Sequence, residues 1–315
     1  MVNREKRVVP AFLVGEMMKG LIVMNGYPAA EKFYRQSQRI AQEFRVRGVD
    51  VDVRLNGEIV AVLQRDGAVQ GVDGYDFAVY LDKDKYLGKL LELKGIRLFN
   101  CAEAVDLCDD KMITYLHLAK SGVPMVQSIP APLCYTKNVQ VNTQFLGDVE
   151  AALGFPLIAK KSYGSFGEGV RLITRREQLE AVEKEWLYVP HFYQKFIKES
   201  SGRDVRVIVI GGKVFAAMER VAQEGEFRSN VELGAIGRRI ALTDLQAEIA
   251  ERAAVALGLD YCGVDLLEGT TPLVCEVNSN AFFEGVESVT GKNVAAAYVE
   301  HILLEVNDER KKQAV

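Results

Sequence analysis

The sequence holds 315 residues, 49% hydrophobic and 26% charged, with 39 Lys and Arg against 43 Asp and Glu. At roughly 150 residues per domain it should form about two domains with a substantial core, which excludes collagen-like and disordered chains. A formal charge of −4 without long runs of one sign leaves no basic field for nucleic acid, and no apolar stretch approaches the ~20 residues that span a bilayer, so neither nucleic acid nor membrane is an expected partner.

Residues 1–18 place Arg4, Lys6 and Arg7 before a short apolar patch broken by Pro10, which reads as an extension or extra strand rather than a secretory signal. Leu21–Met24 is a strand closed by Asn25-Gly26, Ala29–Arg47 an amphipathic helix stopped by Gly48, and Val49–Leu55 a second strand. Asn56-Gly57 then predicts a two-residue hairpin between Val51–Leu55 and Ile59–Gln64. A strand over Phe77–Leu81, a helix over Lys85–Lys94 and a strand over Arg97–Cys101 complete a small α/β domain, whose turns lack a G-x-G-x-x-G dinucleotide fingerprint. A helix runs from Asp110 to Lys120, and a Pro-containing connector follows to about Pro132. Next come a short helix (Val149–Leu153), strands at Pro156–Lys161 and Val170–Ile173, a helix (Arg176–Lys184) and a strand at Tyr193–Ile197. Val205–Ile210 and Val214–Glu219 form a hairpin around Gly211-Gly212, a loop reaches Arg239, and a helix spans Leu242–Leu257. Gly263–Leu267 and Leu273–Val277 make another hairpin, and a helix over Asn293–Val306 precedes a charged tail, Asp308–Lys312. The division is 1–108, 109–195 and 196–315.

The five cysteines (101, 108, 134, 262, 275) are odd in number and contain no CxxC pair, which fits a reducing, cytoplasmic setting. His117, His191 and His301 are scattered, so a histidine-based triad is disfavoured.

Chemistry concentrates in three places. Lys160, Lys161 and the loop Gly164-Ser165-Phe166-Gly167-Glu168-Gly169 sit between two strands. Glycines let backbone N–H groups approach a phosphate and the lysines supply compact positive charge, so the loop reads as a phosphate lid. Standing alone, the loop has a mobile hairpin tip as its less favoured alternative. If Glu268 opposes Leu273 across the last hairpin, Asp265 falls opposite Glu276, and Asn278 points the same way. Such hard oxygen ligands suit Mg2+, although a one-residue slip would undo the geometry. Arg228 lies among Glu226, Ser229 and Asn230 in a loop, where a guanidinium suits a reacting phosphate, and Arg206 and Arg220 on neighbouring strands could receive a substrate carboxylate or phosphate. For each of these arginines a solvated or ion-paired side chain is the commoner case.

The order Asp110-Lys111, Ile158-Ala-Lys160 with Gly164–Gly169, Gln194-Lys-Phe-Ile197, Asp204-Val-Arg206, Glu226-Phe-Arg-Ser-Asn230, Gly263-Val-Asp265 and Glu276-Val-Asn278 resembles the RimK-type ATP-grasp ligases, from about residue 100 to 305. The resemblance implies an α/β (α+β) ATP-grasp fold with an N-terminal Rossmann-like pre-ATP-grasp domain. It implies that Lys111 and Lys160 hold ATP phosphates under the lid of Gly164, Ser165, Gly167 and Gly169. Gln194, Lys195, Phe196 and Ile197 would border the adenine, with backbone of Lys195-Phe196 on its edge, and Asp204 would lie near the ribose. Arg228, Ser229 and Asn230 would meet the reacting phosphates, with Arg206 and Arg220 as further catalytic residues. Asp265, Glu276 and Asn278 would hold two Mg2+ ions, with Mn2+ as an alternative. The implied activity is ATP-dependent carboxylate–amine ligation through an acyl phosphate, adding L-glutamate or another amino acid to a peptide, protein or small-metabolite carboxylate. A homodimer or tetramer follows from the same resemblance. The segment Ser279-Asn280-Ala281-Phe282-Phe283 departs from the usual Ala-Ser-Pro-Gly and leaves the acceptor open. Two alternatives are a lysine-biosynthesis-type ligase acting on a carrier protein, and a non-catalytic ATP-binding regulator.

Overall fold

The structure, a computed structural model, describes residues 18–27, 31–165, 167–229 and 234–313. The expected N-terminal extension and Asn230 lie outside them. The described chain divides into two compact units, one taking in residues up to 102, 282–284 and 293 onward, the other 103–281 and 285–292.

The first unit begins with β1 (Lys19–Met24), α1 (Glu31–Val46) and β2 (Asp50–Leu55), continues through the short pair β3 (Val62–Leu63) and β4 (Val69–Gln70), and adds β5 (Phe77–Leu81), α2 (Lys85–Leu93) and β6 (Arg97–Phe99). Its sheet has the order β2-β1-β5-β6, all parallel. Parallel strands covered on both faces read as unbroken apolar runs, and Leu21, Ile22 and Val23 are all fully buried. At Gly20 a side chain would sit 2.5 Å from the Phe77 ring, so only glycine lets β5 pack there.

The predicted Asn56-Gly57 hairpin does not form. A two-residue type I′ turn needs positive φ at both central residues, and neither Asn56 nor Gly57 has it. Residues Asn56–Glu58 make one 3-10 turn, and the Asn56 side chain accepts from Gly57 N (2.8 Å) and Gly26 N (3.0 Å). The hairpin lies one step later, where β3 and β4 pair around Gly67 at φ +86°.

The second unit opens with α3 (Ala102–Asp109), α4 (Lys111–Lys120) and β7 (Ser128–Pro130), then α5 (Thr143–Leu153), β8 (Leu157–Lys161), β9 (Val170–Ile173), α6 (Arg176–Trp186) and β10 (His191–Lys195). The antiparallel sheet β7-β10-β8-β9 packs α5 and α6 against it through Leu146, Val149, Leu179, Val182 and Trp186. A second antiparallel sheet, in the order β13-β12-β11-β14-β15, is built from β11 (Arg203–Ile210), β12 (Lys213–Val221), β13 (Ile236–Arg239), β14 (Tyr261–Leu267) and β15 (Leu273–Asn278). Between β13 and β14 runs α7 (Asp244–Ala256), capped reciprocally by Thr243 and Gln246. After β15 come α8 (Glu284–Thr290) and α9 (Val294–Gln313).

Sequence periodicity misses α3, β7, β13 and α8, which are short or set among polar residues. It also reads Asp308–Lys312 as a tail, whereas these residues continue α9. In the first unit Arg310 pairs with Asp76 at 2.6 Å and Glu309 with Arg97, so the last turns of α9 have partners that hold them.

Candidate functional site

Within the second unit the two sheets border a cavity of about 860 Å3, including its open mouth. Lys111, Lys160, Gly164, Ser165, Gly167, Gln194, Lys195, Phe196, Ile197, Asp204, Arg220, Arg228, Ser229, Asp265 and Glu276 all line it. Gly169, Arg206 and Asn278 stand outside that lining. Residues drawn from stretches 165 positions apart in sequence thus share one space.

Each cation is carried there by its element. Asp110 caps α4 by accepting from the Met112 and Ile113 N–H groups, which places Lys111 on the first helical turn. Lys111 Nζ donates to Gly164 O at 2.6 Å and lies 3.4 Å from Glu276. Lys160, on β8, is 9% exposed, with its Nζ 3.5 Å from Cys275 Sγ. Burial works against the Lys160 charge, but the neighbouring Cys275, Tyr115 and Glu276 hold it above the usual lysine range. Gly167 and Gly169 have φ of +76° and +72°, a region that favours glycine, so the loop after β8 needs its glycines for conformation as well as for access.

Strand register explains the acidic and guanidinium groups. Asp204 on β11 faces Arg220 on β12, Arg206 on β11 faces Asp265 on β14, and Asp265 faces Glu276 on β15. Opposed residues share a face, so one face of the five-stranded sheet collects all of them. The expected opposition of Asp265 and Glu276 is present, but by another route. Leu267, not Glu268, opposes Leu273, and a bulge between Asp265 and Leu266 leaves Cys275 unpaired and restores the register.

These groups form a chain of buried ion pairs. Asp204 accepts from Arg220 Nε at 2.7 Å and from Ser229 Oγ, and Arg220 also reaches Asp265 Oδ2 at 2.9 Å. Arg206 grips Asp265 with both Nε and NH2, the latter at 2.8 Å. Burial raises the Asp204 carboxyl above its usual value despite Arg220. Burial acts on Asp265 in the same direction, but its two guanidiniums outweigh it and hold that carboxyl low. Arg228 is paired with Glu226, at 3.0 and 2.9 Å, and donates to Gly167 O at 3.3 Å. Hydrogen bonds from Arg228 lower the Glu226 carboxyl to about 2. All three arginines are therefore ion-paired, and Asp204 is committed to Arg220 and Ser229 rather than left open towards a ribose.

Among the described residues no group of three His, Cys, Asp or Glu side chains gathers around a metal position. The donor set is two facing carboxylates and one amide. Asn278 Nδ2 is buried without a partner among the described residues, and the amide turned over would present an oxygen on the sheet face that carries Glu276. A carboxylate has about four acceptor positions, so Asp265 keeps one beyond its three guanidinium contacts. This chemistry fits a hard divalent cation. Sequence alone does not single out Tyr115, Ser128 or Cys275, because a buried tyrosine on a helix, a serine in a Pro-containing connector and a bulged cysteine carry no motif.

Among solved structures, D-alanine–D-alanine ligase from Bacillus anthracis, complexed with ATP, aligns with a TM-score of 0.69 at 19% identity, covering 95% of this chain and all of that one (100%). A RimK domain ATP-grasp protein from Sphaerobacter thermophilus aligns at 0.66 and 18% identity, covering 90% and 98%. Both share the fold, the expected α/β ATP-grasp architecture. In sequence the chain is 37% identical over 214 residues to a probable alpha-L-glutamate ligase of Serratia proteamaculans, covering 67% of this chain and 69% of the relative. It is 31% identical over 255 residues to human beta-citrylglutamate synthase B, covering 80% of this chain but 64% of that protein, and it spans 55% of the Danio rerio counterpart. The model of the RimK-like ATP-grasp domain matches residues 108–302. With that match extending over more than half of its length, the chain belongs to the RimK-like ATP-grasp family.

Proposed function

We propose that the chain is an ATP-dependent carboxylate–amine ligase that joins glutamate, or another amino acid, through its amine to a carboxylate acceptor. The observation that carries this reading is one cavity lined by Lys111, Lys160, the glycine loop, Lys195, Phe196, Ile197 and Arg228 together with Asp265 and Glu276. Cations and backbone N–H groups facing one another across a cavity suit a polyphosphate. The apolar residues Phe196, Ile197 and Leu267 in the lining suit a planar base.

In this reading Lys111, Lys160 and Arg228 bind and orient the triphosphate. Asp265, Glu276 and Asn278 would hold the divalent cation, which supplies neutralisation of phosphate charge. An acceptor carboxylate oxygen attacks the γ-phosphorus, the bond to ADP breaks, and an acyl phosphate results. The amine then attacks the acyl carbon, phosphate leaves, and the amine gives up its proton. Arg220, which lines the cavity and is positioned by Asp204 and Asp265, stabilises charge developing on the transferred group, while Arg206, outside the lining, orients Asp265. Such a route needs orientation and electrostatics rather than a protein nucleophile. Cys275, the thiol in the cavity, is pushed above its usual range by burial and stays a thiol. The relatives named for glutamate ligation support glutamate as the amine. The separate sheets support treating 109–195 and the part of 196–315 that stays in the second unit as two ATP-grasp subdomains, and cysteines without disulfides are consistent with a cytoplasmic setting.

The test is ADP release from Mg-ATP with each of the twenty amino acids, alone and with a small-metabolite extract, followed by mass spectrometry of the products. A glutamate-dependent product and ADP are expected. Tight ATP binding with no ADP under any mixture would turn the reading towards a nucleotide-binding regulator.

A further inference from the structure

One polar side chain in the cavity has its orientation decided from behind. Gln194, on β10, lines the cavity while only 2% exposed. Its amide nitrogen donates to the hydroxyls of Tyr115 (2.8 Å) and Ser128 (3.0 Å). Each hydroxyl has already spent its own proton, Tyr115 on the carbonyl of Cys275 and Ser128 on the carbonyl of Val126 (2.9 Å). A hydroxyl has one proton and two lone pairs, so both can only accept from Gln194. Turned over, the amide oxygen would face two oxygens and could bond to them only by drawing their protons from the two carbonyls. The Tyr115 ring is itself fixed, edge-on to Phe192 at 5.9 Å.

The consequence falls on the other end of the amide. Gln194 Oε1 has no partner among the described residues, and it is not one of the side-chain atoms sealed away unpaired. It is an acceptor held towards the cavity, next in sequence to Lys195 and Phe196. A 6-aminopurine offers an N–H to such an acceptor, whereas a 6-oxopurine offers an oxygen and leaves both groups unpaired. We propose that Tyr115 and Ser128 are positioning residues that lock the Gln194 amide as an acceptor and so make the cavity select a 6-aminopurine nucleotide over a 6-oxopurine one. The inference rests on the nucleotide reading of the cavity and deepens it, because neither residue lines the cavity. The competing explanation is a space-filling hydrogen-bond cluster between α4, β7 and β10, which would affect every nucleotide alike.

The experiment is equilibrium binding of ATP and of inosine triphosphate, with Mg2+, to the full chain and to Tyr115→Phe, Ser128→Ala, the double variant and Gln194→Met. The wild type should prefer ATP by about tenfold or more, the scale of one buried hydrogen bond made or left unmade. The double variant should lose most of that preference, chiefly by gaining affinity for inosine triphosphate as the freed amide turns. Gln194→Met, which keeps Tyr115 and Ser128 in place, should lose it by weakening ATP, and it carries the test if the double variant fails to fold. Equal binding of the two nucleotides by the wild type, or an equal loss of both at an unchanged ratio in the variants, would overturn the proposal while leaving the ligase reading intact. A wild type that binds neither nucleotide would remove the nucleotide reading and this inference with it.

Discussion

Asp265 shows what a residue can and cannot reveal before its neighbours are known. Its opposition to Glu276 is legible from spacing along a hairpin, since both lie in one local pair of strands. Its grip by Arg206 and Arg220 is not legible, because that depends on the register of β11 with β14, strands about 60 residues apart. A buried arginine shared by two carboxylates should be costly to remove. Arg220→Met leaves Asp204 buried with only Ser229 Oγ as a side-chain partner among the described residues, and urea unfolding should show a loss of about 3–5 kcal/mol. A loss below 1 kcal/mol would mean the pair contributes little to holding this face together.

The Glu226–Arg228 pair carries a pH signature of definite sign. Arg228 lowers the folded-state carboxyl from 4.5 to about 2. The deprotonated carboxylate is therefore favoured by folding, and the contribution is complete above the unfolded value. It is lost as pH falls from about 4.5 towards 2. Carboxyl NMR of Glu226 should give a midpoint near 2, and Arg228→Met should return it towards 4.5. An unchanged midpoint in the variant would show that another group lowers it.

At the scale of elements, long periodic segments such as α1, α7, β11 and β12 are legible, and elements defined by their partners are not. Asn56-Gly57 carries the turn chemistry of a hairpin, yet β2 pairs in parallel with β1 as far as Leu55, and the dipeptide caps that edge instead. The β7 strand lies in what reads as a Pro-containing connector and forms only by pairing with β10. The Thr243–Gln246 box, in contrast, is visible in sequence once the start of α7 is known. Thr243→Ala should cost about 1 kcal/mol by thermal or urea unfolding. The bulge at Cys275 has a sharper consequence. Deleting Cys275 would remove the bulge yet leave Glu276 opposite Asp265 in a regular ladder, so Mn2+ binding measured by electron paramagnetic resonance in the presence of nucleotide should persist. Cys275→Ala should retain it as well; equal loss in both variants would assign the effect to the thiol instead of the strand register.

For the whole molecule, the α/β class and the ATP-grasp architecture were both legible in the order of seven motifs, and the structural and sequence relatives agree with them. Less legible was the division into units, because the C-terminal helix α9 belongs with the first unit although it follows the strands of the second. Chain order does not report such a return. The acceptor is not written in any motif, since the segment after Asn278 departs from the family pattern. No helix among the described residues is long and apolar enough to cross a membrane.

The proposed ligation turns on one step, activation of a carboxylate by phosphorylation in this cavity. The direct measurement follows 18O from the carboxylate of the acceptor that product analysis identifies, during turnover with Mg-ATP and glutamate. An acyl phosphate predicts ADP as the nucleotide product and one 18O atom delivered to inorganic phosphate for each amide formed. AMP with pyrophosphate, or phosphate free of 18O, would contradict the account.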